Sequence, residues 1–188
     1  MIFLIHNNKQ AVEVLDERLQ GIKVNFTSNQ LTTQLFELAS LYPKQIIAWC
    51  YLELKTSLNP DGFNKVFHHE KIMASFNPSN HNYLLDVIGY VDRSYFYKVN
   101  KSVTYPTWLM SSMVGGLHAS VLNTVRQHID ISSDFNYFLI SLAKQGMPQG
   151  LFCYSSPNLL LTHKEVTNNK AASTATLFKF VKEHYKWV

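Results

Sequence analysis

The sequence predicts an α/β domain with a mostly parallel central sheet flanked by helices. Two observations carry the prediction. Segments with helical periodicity alternate with short apolar runs through the first third of the chain; a strand-rich middle follows, and the last part is helical again. Hydrophobic residues make up 46% and charged residues 16% of the 188, which supplies a large core and argues against disorder. Alternation of this kind stacks helices on the faces of a sheet, whose ligands sit at the carboxyl ends of the strands. The length suits a single domain over 1–188, with 167–188 forming a loop and terminal helix that lead toward a further domain of a longer protein.

Residues 2–6, IFLIH, read as a buried strand. Residues 9–20, KQAVEVLDERLQ, put Val12, Leu15 and Leu19 on one helical face, with Gly21 as the stop. Residues 22–26, IKVNF, alternate like a strand. Residues 28–43 space Leu31, Leu35, Leu38 and Leu41 along a helix that Ser28 or Asn29 can cap and Pro43 ends. Residues 45–54, QIIAWCYLEL, form a strong buried strand, and the turn residues NPDGF lead into a short helix. Strands follow at 71–77 and 86–92, with one more around 108–113. The segments HASVLNTVRQHI and SDFNYFLISLAKQGM are helical, the second stopped by Gly146; 150–156 returns as a strand, and TATLFKFVKEHY closes the chain as a helix.

The net charge of +4 is modest and contains no basic run. It describes a mildly basic surface, and it also suits phosphate-bearing ligands or an anionic membrane face. Cys50 and Cys153 both lie in apolar strand-like segments, so buried thiols and a cytoplasmic setting are expected. No window reaches the about 20 apolar residues of a membrane span, and MIFLIHNNKQ lacks the features of a signal peptide. No basic-aromatic pattern points to nucleic acid.

The chemistry-bearing candidates each carry two readings. Asp134 opens a helix, as a cap or as a carboxylate able to take a proton from an attacking hydroxyl. The adjacent Gly115 and Gly116, two of seven glycines, suit a sharp turn from strand to helix or a close backbone approach to a ligand. His118 sits two residues on, as a phosphate contact or a helix-start histidine. Trp108 and Tyr105 in TYPTW suit ring stacking or core packing. Asp86, Asp92 and Arg93 flank a strand, either to reach a sugar or diphosphate or as strand-end charges. The consecutive His68, His69 and Glu70 point about 100° apart on a helix and cannot readily share a metal.

From 30 to 160 the order of segments resembles family 2 glycosyltransferases of the GT-A fold. The matching stretches are LFELASLYPKQIIAWCYLEL, LNPDGFNKVF, KIMASFN, VIGYVD, SSMVGGLHASVLNTV and SSDFNYFLISLAKQGMPQGLFCY. The resemblance implies transfer of a sugar from a nucleotide-sugar donor to a glycan or lipid-linked acceptor. Asp134 would be the base, and Gly115, Gly116, His118, Trp108 and Asp92 would line the substrate. It also implies a divalent metal, Mn2+ or Mg2+, assisted by Glu53 and His163, and a second transferase domain as partner. The implied setting is cytoplasmic, at the inner membrane face. The chain departs from the family where a DxD motif is expected and reads Cys50-Tyr51-Leu52-Glu53, and the part before it is short. That departure keeps a second reading open: a non-catalytic module that binds glycan, or that docks on a catalytic partner through Leu177, Phe178, Phe180 and Val181.

Overall fold

Strand β1 (Ile2–His6) is buried at every position, as the apolar run over 2–5 demands of a strand covered on both faces. In the computed structural model, which describes residues 1–79, 83–84, 100–125, 134–162, 166 and 171–185, it lies near one side of a seven-stranded sheet. The other strands are β2 (Ala11–Leu15), β3 (Ile46–Tyr51), β4 (Ile72–Phe76), β5 (Tyr105–Pro106), β6 (Val114–His118) and β7 (Phe152–Ser155). Their order across the sheet is β2-β1-β3-β6-β4-β7-β5.

The expected α/β class holds, but the sheet is mixed and not mostly parallel. β1 pairs with β3, and β4 with β7, in parallel; the β1–β2, β3–β6, β4–β6 and β5–β7 pairs are antiparallel. It follows that β1, β3, β4 and β7 run one way and β2, β5 and β6 the other. β6 is wedged between β3 and β4 against their direction, so its first residue, Val114, pairs with Cys50 and Phe76 at their carboxyl ends.

Helices α1 (Leu31–Leu41), α3 (Ala119–Val125), α4 (Phe135–Gly146) and α5 (Thr174–His184) contribute to the core on one face with Leu35, Leu122, Phe138 and Phe180. Helix α2 (Pro60–Val66) and two 3-10 turns, Leu52–Ser57 and Pro157–Leu159, close the other face around Phe3, Ile5, Cys50 and Phe63. Both cysteines are free and buried.

Three further sequence expectations fail, each for a local reason. Residues 9–20 are not a helix. Asn8 adopts φ 70°, a conformation that asparagine tolerates, and Asn7 Oδ1 accepts from the amides of Lys9 and Gln10, closing a hairpin between β1 and β2. Asp16 Oδ1 then accepts from Arg18 and Gln20 and organises a second turn, so Gly21 stops no helix. Residues 22–26 have the expected alternation, with Ile22, Val24 and Phe26 packed on the core, but beyond the bond of the Ile22 amide to the Val14 carbonyl of β2 at 2.8 Å they form no strand of the sheet. The strand expected at 108–113 falls instead at Val114–His118, which takes in both glycines. The strand expected over 86–92 lies outside the described residues. The helices read over 28–43, 133–147 and 174–185 form as Leu31–Leu41, Phe135–Gly146 and Thr174–His184, and the short helix read after NPDGF over 63–69 starts earlier, at Pro60, so that the expected turn residues make its first turn.

Candidate functional site

The sheet gathers polar side chains at one edge, where β1, β3, β4 and β7 end and β6 begins. Asp134 stands there as the N-cap of α4. Its Oδ1 accepts from the amides of Asn136 at 3.0 Å and Tyr137 at 3.4 Å, satisfying two of the donors a helix start leaves unpaired. The residue is exposed, and the Tyr83 hydroxyl donates to its carboxylate. Burial, and then the neighbouring Asp134 charge, push the Tyr83 phenol well above its ordinary value, so it stays a neutral donor. Asn136 Oδ1 accepts from the Ser112 amide at 3.0 Å and ties the start of α4 to the segment entering β6. Beside these groups lies a recess of about 300 Å³, counting its open mouth, lined by Asn77, Tyr83, Met110, Ser111 and Asn136 among others. Ser112 Oγ is buried at this edge without a hydrogen-bond partner among the described residues.

His6, at the end of β1, underpins the same edge. Its Nε2 donates to the Ser112 carbonyl at 2.9 Å and its Nδ1 accepts from the Asn8 amide at 3.1 Å. A carbonyl only accepts and an amide only donates, so the ring is the neutral tautomer with its proton on Nε2. Burial lowers its pKa to about 4 against the partial compensation of the Ser112 bond.

Of the residues the sequence nominated, Asp134 and Glu53 reach this edge. Glu53 lies exposed in the 3-10 turn after β3, with the Tyr51 hydroxyl at 3.5 Å from its Oε1. Asp92, like Asp86 and Arg93, and His163 lie outside the described residues. His118 is at the opposite edge: β6 runs against β3, so His118 pairs with Ile46 at the start of β3, where its Nδ1 meets the Ser120 hydroxyl at 2.7 Å.

Trp108 is only 7% exposed; it stacks on Phe180 of α5 at 5.4 Å, with the Lys144 ammonium 4.8 Å from its ring. Trp108 thus packs in the core between α4 and α5.

The glycine pair is mid-strand, not a turn. A Cβ on Gly115 would lie 2.5 Å from the Trp49 ring and 2.7 Å from the Ala74 carbonyl. Trp49 is itself held by its Nε1–H bond to the Ser111 carbonyl at 2.9 Å. A Cβ on Gly116 would meet Ala48 Cα and Phe67 at 3.3 Å. The pair therefore serves close packing of the sheet on both faces. Gly115→Ala should cost about 2–3 kcal/mol, because a pinned indole and a backbone carbonyl cannot both retreat. Gly21→Ala, whose nearest neighbour would be 3.9 Å away, should stay within about 0.5 kcal/mol. Urea midpoints of the two variants check this.

Among the described residues, no group of three or more His, Cys, Asp or Glu side chains is arranged to hold a metal ion. His68, His69 and Glu70 are exposed. Sequence reading missed Tyr83, Asn136, Ser111, Ser112 and His6, which meet Asp134 or its supports only through folding. No protein-family model, curated protein or solved structure matches the chain.

Proposed function

We propose that this domain is a glycosyltransferase-like module that moves a sugar from a nucleotide-sugar donor to a hydroxyl of a glycan or lipid-linked acceptor. The observation that carries the reading is Asp134: an exposed carboxylate at the strand-end edge of an α/β sheet, beside a polar recess and bonded to Tyr83. The order of segments supports it too. The helix, the buried strand, the glycine-bearing strand, the acidic helix start and the return strand of the resembled family correspond to α1, β3, β6, Asp134 with α4, and β7. Strands β3, β6, β4 and β7 are consecutive neighbours in the sheet.

In this reaction the acceptor oxygen attacks the anomeric carbon, the bond from that carbon to the diphosphate breaks, and the acceptor proton passes to Asp134. The cap engages Oδ1 and leaves Oδ2 outside it. A divalent metal would neutralise the departing diphosphate in the resembled family. Here the described donor set after β3 is one carboxylate, Glu53, which does not by itself make such a site.

That lone Glu53 favours a second reading, a non-catalytic module that binds glycan at the same edge. Docking through the last helix has less support. Leu177 and Phe180 are 4% and 0% exposed against the core, leaving Phe178 as the large apolar side chain that α5 exposes. No described helix is long and apolar enough to cross a membrane, and the setting we propose is cytoplasmic, at the inner membrane face.

Calorimetric titration with UDP- and GDP-sugars, each with and without Mn2+, tests the donor site. Metal-dependent heat supports transfer. Absence of heat with every donor removes transfer and leaves the glycan-binding reading, which titration with oligosaccharides then checks.

A further inference from the structure

On the sheet face opposite α4, the covering layer stops short. Helix α2 and the 3-10 turns cover β1, β3, β6 and β4, but β7 and β5 leave Phe152 53% exposed, Tyr154 half-buried and Pro106 exposed. Tyr154 pairs with Ala74 in β4, and Ala74 in turn pairs with Gly116, whose missing side chain would point at Phe67; this fixes Tyr154 on the α2 side. Between the end of α2 and this bare strip runs a groove of about 480 Å³, counting its mouth, lined by Lys65, Val66, His68, Thr104, Tyr154 and Asn158.

Among the described residues, Lys65 makes no ion pair and no carboxylate lines the groove. His68 Nδ1 donates to the Lys65 carbonyl at 3.4 Å, which turns the ring along the groove wall and leaves Nε2 of the neutral ring as an acceptor. The Tyr154 hydroxyl and the Asn158 amide add neutral donors, and Thr104 is held in place by the Ser156 hydroxyl at 2.8 Å. Among the described lining residues the lysine faces neutral hydroxyl and amide groups and an aromatic ring, an arrangement that suits an anion carrying a ring.

We propose that this groove binds a small anionic ligand, a sugar or similar ring bearing a phosphate or carboxylate, with the anion on Lys65 and the ring against Tyr154. The site is independent of the Asp134 edge, which lies on the other face, and stands whether or not the domain transfers sugars.

The test is a nitrogen-15 NMR titration of the full chain with glucose 6-phosphate, glucuronate, inorganic phosphate and glucose. Glucose 6-phosphate or glucuronate should shift the amides of Lys65, His68, Tyr154 and Asn158 saturably. Lys65→Gln should weaken that binding about tenfold, and Tyr154→Ala should weaken the ring-bearing anions more than inorganic phosphate. Lys65 is exposed at the end of α2, so its replacement leaves the fold intact, and an unchanged spectrum elsewhere verifies this. The proposal is overturned by absence of saturable shifts, by equal shifts from neutral glucose, or by unchanged binding in Lys65→Gln. Sensitivity to Asp134→Asn would also count against it, since the two faces are separate.

Discussion

Acidification from pH 6.5 to pH 4 should remove about 3 kcal/mol of folding stability through His6 alone. The folded-state pKa is about 4, against an unfolded value of 6.5. Between those values the unfolded chain binds the proton and the folded chain does not, so stability falls as pH falls through this window and the loss is complete below it. The geometry gives the cause. Protonation would put a second N–H on Nδ1, facing the Asn8 amide that now donates to it. The new charge would also sit among the rings of Tyr51 and Phe135, at 6.0 and 5.6 Å. Urea unfolding at pH 7, 5.5 and 4 reads the effect, and His6→Gln should flatten the part of the slope lying between pH 4 and 6.5. Because that variant itself perturbs a buried site, direct titration of the His6 ring by NMR gives a second readout. A ring that protonates near pH 6.5 in the folded protein would end the argument.

The parts of the fold legible in the sequence are those whose signal is local. QIIAWCY is apolar, β-branched and aromatic, and it becomes β3 whatever its neighbours do. NPDGF becomes a capped helix start because Asn59 Oδ1 accepts from the Gly62 amide with Pro60 in the first turn. Residues 9–20 misled because Val12, Leu15 and Leu19 satisfy a helical period by coincidence. The stronger signal was the Asn7-Asn8 pair, a turn between two apolar runs, followed by the side-chain bonds of Asp16. Ile22, Val24 and Phe26 face the core as their alternation says, but alternation reports burial and cannot report whether a partner strand is there.

Strand direction explains most of what failed at the site. Gly115, Gly116 and His118 are followed at once by a helix, and in a parallel sheet that order would carry His118 to the ligand edge. β6 instead runs against β3 and β4, which leaves His118 at the far edge and brings Ser111 and Ser112, ahead of the strand, beside Asp134 and Asn136. Nothing in the letters VGGLH encodes that reversal. The two glycines do encode something, a contact closer than a side chain allows, but the partner that requires it, Trp49, is far away in sequence. Tyr83 was invisible for the same reason: its bond to Asp134 spans the chain.

Asp134→Asn should lower sugar transfer by about 10²–10⁴-fold while shifting stability by only a few tenths of a kcal/mol. The two effects separate because the residue has two jobs carried by different properties. Capping needs an oxygen at Oδ1 for the amides of Asn136 and Tyr137, and asparagine supplies one. Accepting a proton from the acceptor hydroxyl needs a carboxylate, and asparagine has none. Asp134→Ala removes both, so it should lose activity and also about 1 kcal/mol of stability from the uncapped α4. Comparing the three proteins by product formation and by urea midpoint therefore distinguishes a base from a cap. Asparagine with full turnover and alanine with only the stability loss would make Asp134 a cap and nothing more, and the base would have to be sought elsewhere. Loss of transfer in both variants, with donor binding intact, would assign the proton to the carboxylate, because the folded framework that holds the donor is the same in the asparagine variant.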